Sequence, residues 1–241
     1  MSGHSKWATI KRKKEATDSK KASIFSKLGK EITVAVKMGG SADPNVNRKL
    51  KDVIAKAKSQ NMPNDNINRC IQKAAGDSSA ENYEEIVYEG FGPCGLAVIV
   101  EALTDNKNRT AADVRAAFSR AGGSLGQTGS VGYMFEKKGY ILIEKSSDID
   151  EYELMLEVLE HGAEDFVSEE EYIEITTSPE DFSAVREFLE EKNITMLEAD
   201  VRQIANIKKD LTDEECEKVQ NFLDKLEDMD DVQNIWHNGN L

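Results

Sequence analysis

Cysteine, histidine and long apolar runs are scarce in this chain, and each shortage removes a class of function. The three cysteines, Cys70, Cys94 and Cys216, are odd in number and widely scattered. That argues against a disulfide framework and suits a reducing compartment. The three histidines, His4, His161 and His237, stand apart from one another, and no C-x-x-C or H-x-x-x-H pair occurs, so no zinc site is offered. His161 precedes Gly162 at a predicted helix end, where it suits the helix dipole, and His237 is expected to be exposed. The longest strongly apolar stretch, Leu96 to Val100, falls far short of the roughly 18–20 residues of a membrane span. No apolar segment follows the early lysines, which predicts a soluble, cytoplasmic chain without a signal peptide. Gly122 to Gly129 is glycine-rich but follows a helix and precedes a strand, the reverse of a phosphate-binding loop. It reads as a mobile hairpin or helix–strand connection. With no metal ligands and no nucleophile–base pair in evidence, neither an enzyme nor a cofactor is expected.

What the sequence does have is charge, unevenly placed. The net charge is −14 and the mean hydropathy −0.55. Residues 1–75 hold 17 Lys and Arg against 6 Asp and Glu, a net of +11, which leaves 14 basic and 39 acidic residues, a net of −25, for the remainder. Such asymmetry suggests that the two parts face different partners. Acidic pairs such as Asp230-Asp231, and the run Glu169-Glu170-Glu171, read as solvated surface in so acidic a body.

Hydrophobic spacing predicts helices through the basic part. Over residues 19–38, Ile24, Phe25, Leu28, Ile32, Ala35 and Val36 share one face, and Lys20, Lys27, Lys30 and Lys37 share another. Gly39-Gly40 stops this helix. A second spans 46–60 on Leu50, Val53, Ile54 and Ala57. A third has Pro63 in its first turn, buries Ile67, Cys70, Ile71 and Ala74, and ends at Gly76. Beyond a polar linker at 77–79 the periodicity changes. Strands are expected around Ile86–Tyr88 and Val98–Val100, with Gly90 to Pro93 turning between them, then a helix over 109–121 and a strand at 130–135. A second pattern follows: strand 140–144, helix 150–160 on Leu154, Leu156, Val158 and Leu159, strand 172–176, a helix burying Phe182, Val185, Phe188 and Leu189, and a strand near 200–206. A helix over 212–227 and an edge strand at 232–236 complete the first pattern. The reading is an α+β chain: an N-terminal three-helix domain (1–76), followed by two ferredoxin-like α/β sandwich domains. One of these is discontinuous (80–135 plus 210–241) and the other, acidic, is inserted in it (136–209).

The candidate site is nucleic-acid-binding and lies mainly in the basic part. Lys11-Arg12-Lys13-Lys14 is costly to assemble without a polyanion, and displacing counterions from phosphates makes its binding favourable and salt-dependent. Lys6 adds to the same arm. Trp7 has two roles open to it, stacking on a base or docking the arm on the helical core. His4 is either simply exposed, a hydrogen-bonding partner for phosphate or a base edge, or a proton carrier. Lys107 and Arg109, with Arg115 and Arg120, form the one basic cluster of the acidic body, suited to internal ion pairing or to a second phosphate contact.

Several stretches resemble the YebC/PmpR family: Gly3 to Trp7, Ile24 to Leu28, Glu31 to Ala35, Asn61 to Ile67, Tyr88 to Pro93, Leu103 to Thr110 and Gly129 to Val131. The resemblance runs over nearly the full length. It implies three domains, one inserted in another, and a non-enzymatic regulator of transcription binding DNA; other members of that family, including a mitochondrial translational activator, look like translation factors. The alternative to a DNA-binding regulator is therefore a ribosome-associated factor that binds ribosomal RNA or tRNA. The cationic helix face is nearly all lysine, which suits phosphate contact more than base reading. A monomer is expected.

Overall fold

The computed structural model describes residues 18–76 and 83–240, with side chains from residue 21 onward. Residues 137–203 form the body of one compact unit; residues 18–57, 62–136 and 204–240 make up the other.

In the larger unit, helix α1 (Asp18–Gly39) buries Leu28, Ile32, Ala35 and Val36 against Leu50 and Ala57 of α2 (Arg48–Ser59) and Ile67 and Ala74 of α3 (Asn64–Gly76). Gly40, at φ +64°, takes the left-handed step that ends α1. The buried Asn47 then holds the corner: its Nδ2 donates to the carbonyls of Ala35 and Ser41, both at 2.8 Å, and its Oδ1 accepts from the Leu50 N–H at 3.0 Å, capping α2. Pro63 precedes α3 instead of lying in its first turn, and its carbonyl accepts from Asn66 and Ile67.

The first sheet has the order β3-β1-β2-β9, from β1 (Glu84–Phe91), β2 (Ala97–Thr104), β3 (Ser124–Leu125) and β9 (Val232–His237), with each neighbouring pair antiparallel. Gly90 and Phe91 belong to β1, so the turn comprises only Gly92 to Leu96. Helices α4 (Lys107–Arg120) and α7 (Asp213–Glu227) pack on one face, where Val98 and Val100 meet Val114, Phe118, Phe222 and Leu226. On the other face Ala97 and Ile99 are covered by Val131, Phe135 and Trp236. Burial on both faces explains why the first half of β2, Ala97 to Val100, is a continuous apolar run instead of an alternating one.

Residues 130–134 do not form the expected strand. They wrap the buried carboxylate of Glu89, which accepts from the N–H groups of Gly129 (2.9 Å), Val131 (2.9 Å) and Gly132 (2.6 Å). Of the two readings of the glycine-rich stretch, the helix–strand connection is the one seen: it leads from α4 into β3, and its end is held by the Glu89 carboxylate. His237 is half-buried, accepting from the Gly239 N–H, where exposure was expected.

The second sheet has the order β5-β6-β4-β7, from β4 (Phe135–Glu144), β5 (Ala163–Ser168), β6 (Tyr172–Thr177) and β7 (Met196–Ala205). Ile141, Ile143, Ile173 and Ile175 face α5 (Glu151–Glu160) and α6 (Phe182–Glu191). Of the apolar residues expected to hold α5, Leu154 and Val158 are buried but Leu156 and Leu159 are 45% and 43% exposed. Strand β5 has no counterpart in the hydrophobic pattern, because a register shift between Ala163 and Asp165 breaks the alternation. His161 ends α5 with Nδ1 2.7 Å from the Glu157 carbonyl and stacks on Phe188. Residues β8 (Lys209–Asp210) and β10 (Gly239–Asn240) form a short parallel pair. No helix among the described residues is long and apolar enough to cross a membrane.

Candidate nucleic-acid interface

Of the residues expected to touch nucleic acid, His4, Lys6, Trp7, Lys11, Arg12, Lys13 and Lys14 lie outside the described residues. Lys20 lies in α1 with its side chain outside the description. The others are located, and most are engaged within the chain.

Lys27 and Lys30 turn from α1 onto the C-terminal end of α7. Lys27 Nζ donates to the Glu227 carbonyl at 2.6 Å, and Lys30 Nζ to the Asp230 carbonyl at 2.9 Å. Cations are favourable at a helix C-terminus, where unsatisfied carbonyls concentrate negative potential. Burial lowers the Lys27 pKa against the opposing pull of Glu227, Asp230 and Asp228. Lys30 also pairs with Asp231 Oδ1 at 2.9 Å.

Asp231 is the centre of this arrangement. Its Oδ2 accepts from Arg109 at 2.8 Å and lies 2.8 and 3.1 Å from the hydroxyls of Thr110 and Thr104. Its backbone carbonyl takes the Leu103 N–H at 2.8 Å. Burial pushes this carboxyl upward, but the donors Arg109, Lys30 and Thr110 outweigh that and hold it well below the usual carboxylate range. Arg109 also pairs with Asp105, and both contacts raise its pKa further. Lys107 pairs with Glu84. Asp231 is therefore not the solvated acid its composition suggested. The partners lie 201 and 122 positions away, so nothing local in sequence marks them.

A cleft of about 410 Å3 opens beside this node, lined by Lys30 and Arg109 but also by Asp105, Asp113, Asp230 and Asp231. Four carboxylates against two cations make it a poor phosphate site. Lys37, in the last turn of α1, is half-buried. Arg48, Arg69 and Lys73 are exposed. Helix α3 turns Asn68, Arg69, Gln72 and Lys73 outward opposite its buried Ile67 and Ala74. That spacing was readable beforehand from the apolar positions alone. Among the described residues no group of three or more His, Cys, Asp or Glu could hold a metal ion.

Two family models cover the chain: the TACO1/YebC protein N-terminal domain matches residues 5–77, and the TACO1/YebC second and third domain matches residues 83–239. A probable transcriptional regulatory protein of Acetivibrio thermocellus is 57% identical over 239 residues, covering 99% of this chain and 98% of that one. A similarly named protein of Hathewaya histolytica is 57% identical over 238 residues, covering 99% and 96%. The crystal structure of a conserved hypothetical protein from Aquifex aeolicus matches with a TM-score of 0.80 at 40% identity, covering 92% of this chain and 91% of that one. Models matched on both sides of residues 78–82, with relatives alike from end to end, place the chain in the TACO1/YebC family.

Proposed function

We propose that this chain is a non-enzymatic, cytoplasmic regulator that binds nucleic acid through residues 1–76, with duplex DNA as its target and transcription as the process it controls. The observation that carries this reading is the charge split, +11 over residues 1–75 against −25 over the rest. The names of the Acetivibrio and Hathewaya relatives agree with it. A basic segment neutralises phosphates while an acidic body is repelled by them, so a polyanion engages one end only. The second sheet, in which the fourth, first, third and second strands of 136–209 lie side by side, supports reading that segment as a ferredoxin-like sandwich; the first sheet, of 80–135 plus 210–241, has a different order, third-first-second-fourth.

A second reading, a ribosome-associated translation factor, is favoured by the residue type: 14 of the 17 cations in residues 1–75 are lysine. Lysine positions a protein on phosphate without reading sequence. Sedimentation of a cell extract at moderate salt separates the two. Absence from the ribosomal fractions, with protection of a defined promoter sequence, supports the first reading. Co-sedimentation, with uniform binding to any duplex, supports the second.

A further inference from the structure

We infer that the outward face of α3 is a base-reading surface that enters the major groove of duplex DNA. The inference rests on the reading of residues 1–76 as the nucleic-acid-binding part and names the face and side chains that would give it sequence preference.

Helix α2 (Arg48–Ser59) and helix α3 (Asn64–Gly76) are joined by only four residues, 60–63. Helix α3 is anchored from behind: Ile67 and Ala74 are buried in the core shared with α1. Gly29 of α1 approaches so closely that a β-carbon there would meet Cys70 Sγ at 3.3 Å. At 100° per residue, Asn68, Gln72, Arg69 and Lys73 occupy an arc of about 140° centred opposite that core. All four are exposed, as is Asn64 at the start of the helix. Among the described residues none of these five side chains has a hydrogen-bond or ion-pair partner, unlike Lys27, Lys30, Lys107 and Arg109, which are engaged within the chain.

The chemistry of the face is specific. Arg presents a bidentate fork to guanine, and Asn and Gln present paired donor and acceptor to adenine, so these residue types discriminate bases; lysine offers a point charge without that fork. The one acid in the arc, Asp65, suits a cytosine amino group. Residues 48–76 carry seven cations against two acids, so the surroundings of the face attract phosphate. A helix about 10–12 Å across fits the B-form major groove, about 12 Å wide, and is excluded from the deep, narrow groove of A-form RNA.

The test uses the full-length protein and a random-sequence duplex DNA library. Selection is expected to enrich a motif of a few base pairs. On that motif Arg69→Ala and Asn68→Ala should weaken binding roughly 10- to 100-fold, with binding to an unrelated duplex changed less than about threefold. Lys73→Ala should weaken both duplexes alike and lower the salt slope by about one. All are exposed positions, so melting temperatures should match the wild type; a variant that melts early is replaced by Gln72→Ala. Salt-dependent binding with no enriched motif, or an enriched motif bound equally by Arg69→Ala and Asn68→Ala, overturns this inference while leaving nucleic-acid binding through residues 1–76 standing. Preference for single-stranded RNA over every duplex overturns it as well. No salt-dependent binding to any nucleic acid overturns both.

Discussion

Glu89 and Asp231 are buried carboxylates, each surrounded by donors from elsewhere in the chain. Glu89 receives three backbone N–H groups from the loop after β3. These bonds, acting against burial, hold its pKa below the ordinary value. Glu89→Gln puts an amide donor among three donors and is expected to cost about 2–3 kcal/mol, measured by chemical denaturation. Asp231 binds Lys30 and Arg109 together. Its pKa is lowered on folding, so it contributes stability above the unfolded value of about 3.9 and loses that contribution as pH falls through the lower folded value. Asp231→Asn should therefore cost about 3 kcal/mol near pH 7, and the gap to wild type should narrow below about pH 4. A gap unchanged down to pH 2 would show that the ion pairs are not its source. Neither carboxylate was visible as special in sequence. Both read as ordinary acids because their partners lie more than 40 positions distant or are backbone groups.

Helices and strands were legible where one side of an element meets the core and the other meets water. The amphipathic spacing of α1 to α3 set their buried faces correctly, and α7 likewise. The spacing failed where packing changed the rules. The lysine face of α1 is a case in point: periodicity placed Lys27 and Lys30 together, but only the fold shows that the end of α7 receives them. Lys27→Ala with Lys30→Ala is expected to lower the melting temperature before it alters any binding, read by calorimetry beside a salt-matched binding assay. On α5, Leu154→Ala should cost about 2–5 kcal/mol and Leu156→Ala less than about 0.5, because only the first is buried. Asn47→Ala should cost about 2 kcal/mol, since it strips both the α2 cap and the two carbonyl contacts that close the corner after α1.

Charge is the property that spans the chain. If residues 1–76 grip phosphate, about seven contacts give a log–log salt slope of roughly −6 on duplex DNA and roughly −5 on a single strand, measurable by titration from low to moderate salt. Charge reversal at Lys11 to Lys14 should abolish that binding, whereas reversal at Glu169 to Glu171 should leave it intact. A basic end beside an acidic body was plain from composition. Which cations are engaged within the chain was not, because that depends on α1 meeting α7 across 200 positions.

The path between the two sheets has its own consequence. Asn206 donates its N–H to the Met134 carbonyl at 2.9 Å, beside the paired ends of β4 and β7, so the chain leaves and re-enters the larger unit at neighbouring positions. To the first sheet, everything between those residues amounts to one hairpin loop of unusual size. A loop whose ends already touch adds little closure entropy however long it grows. Residues 137–203 thus behave as a cassette: exchanging them for a two-residue turn is expected to leave α7 and β9 in place on β2, read as a cooperative unfolding transition of the shortened chain.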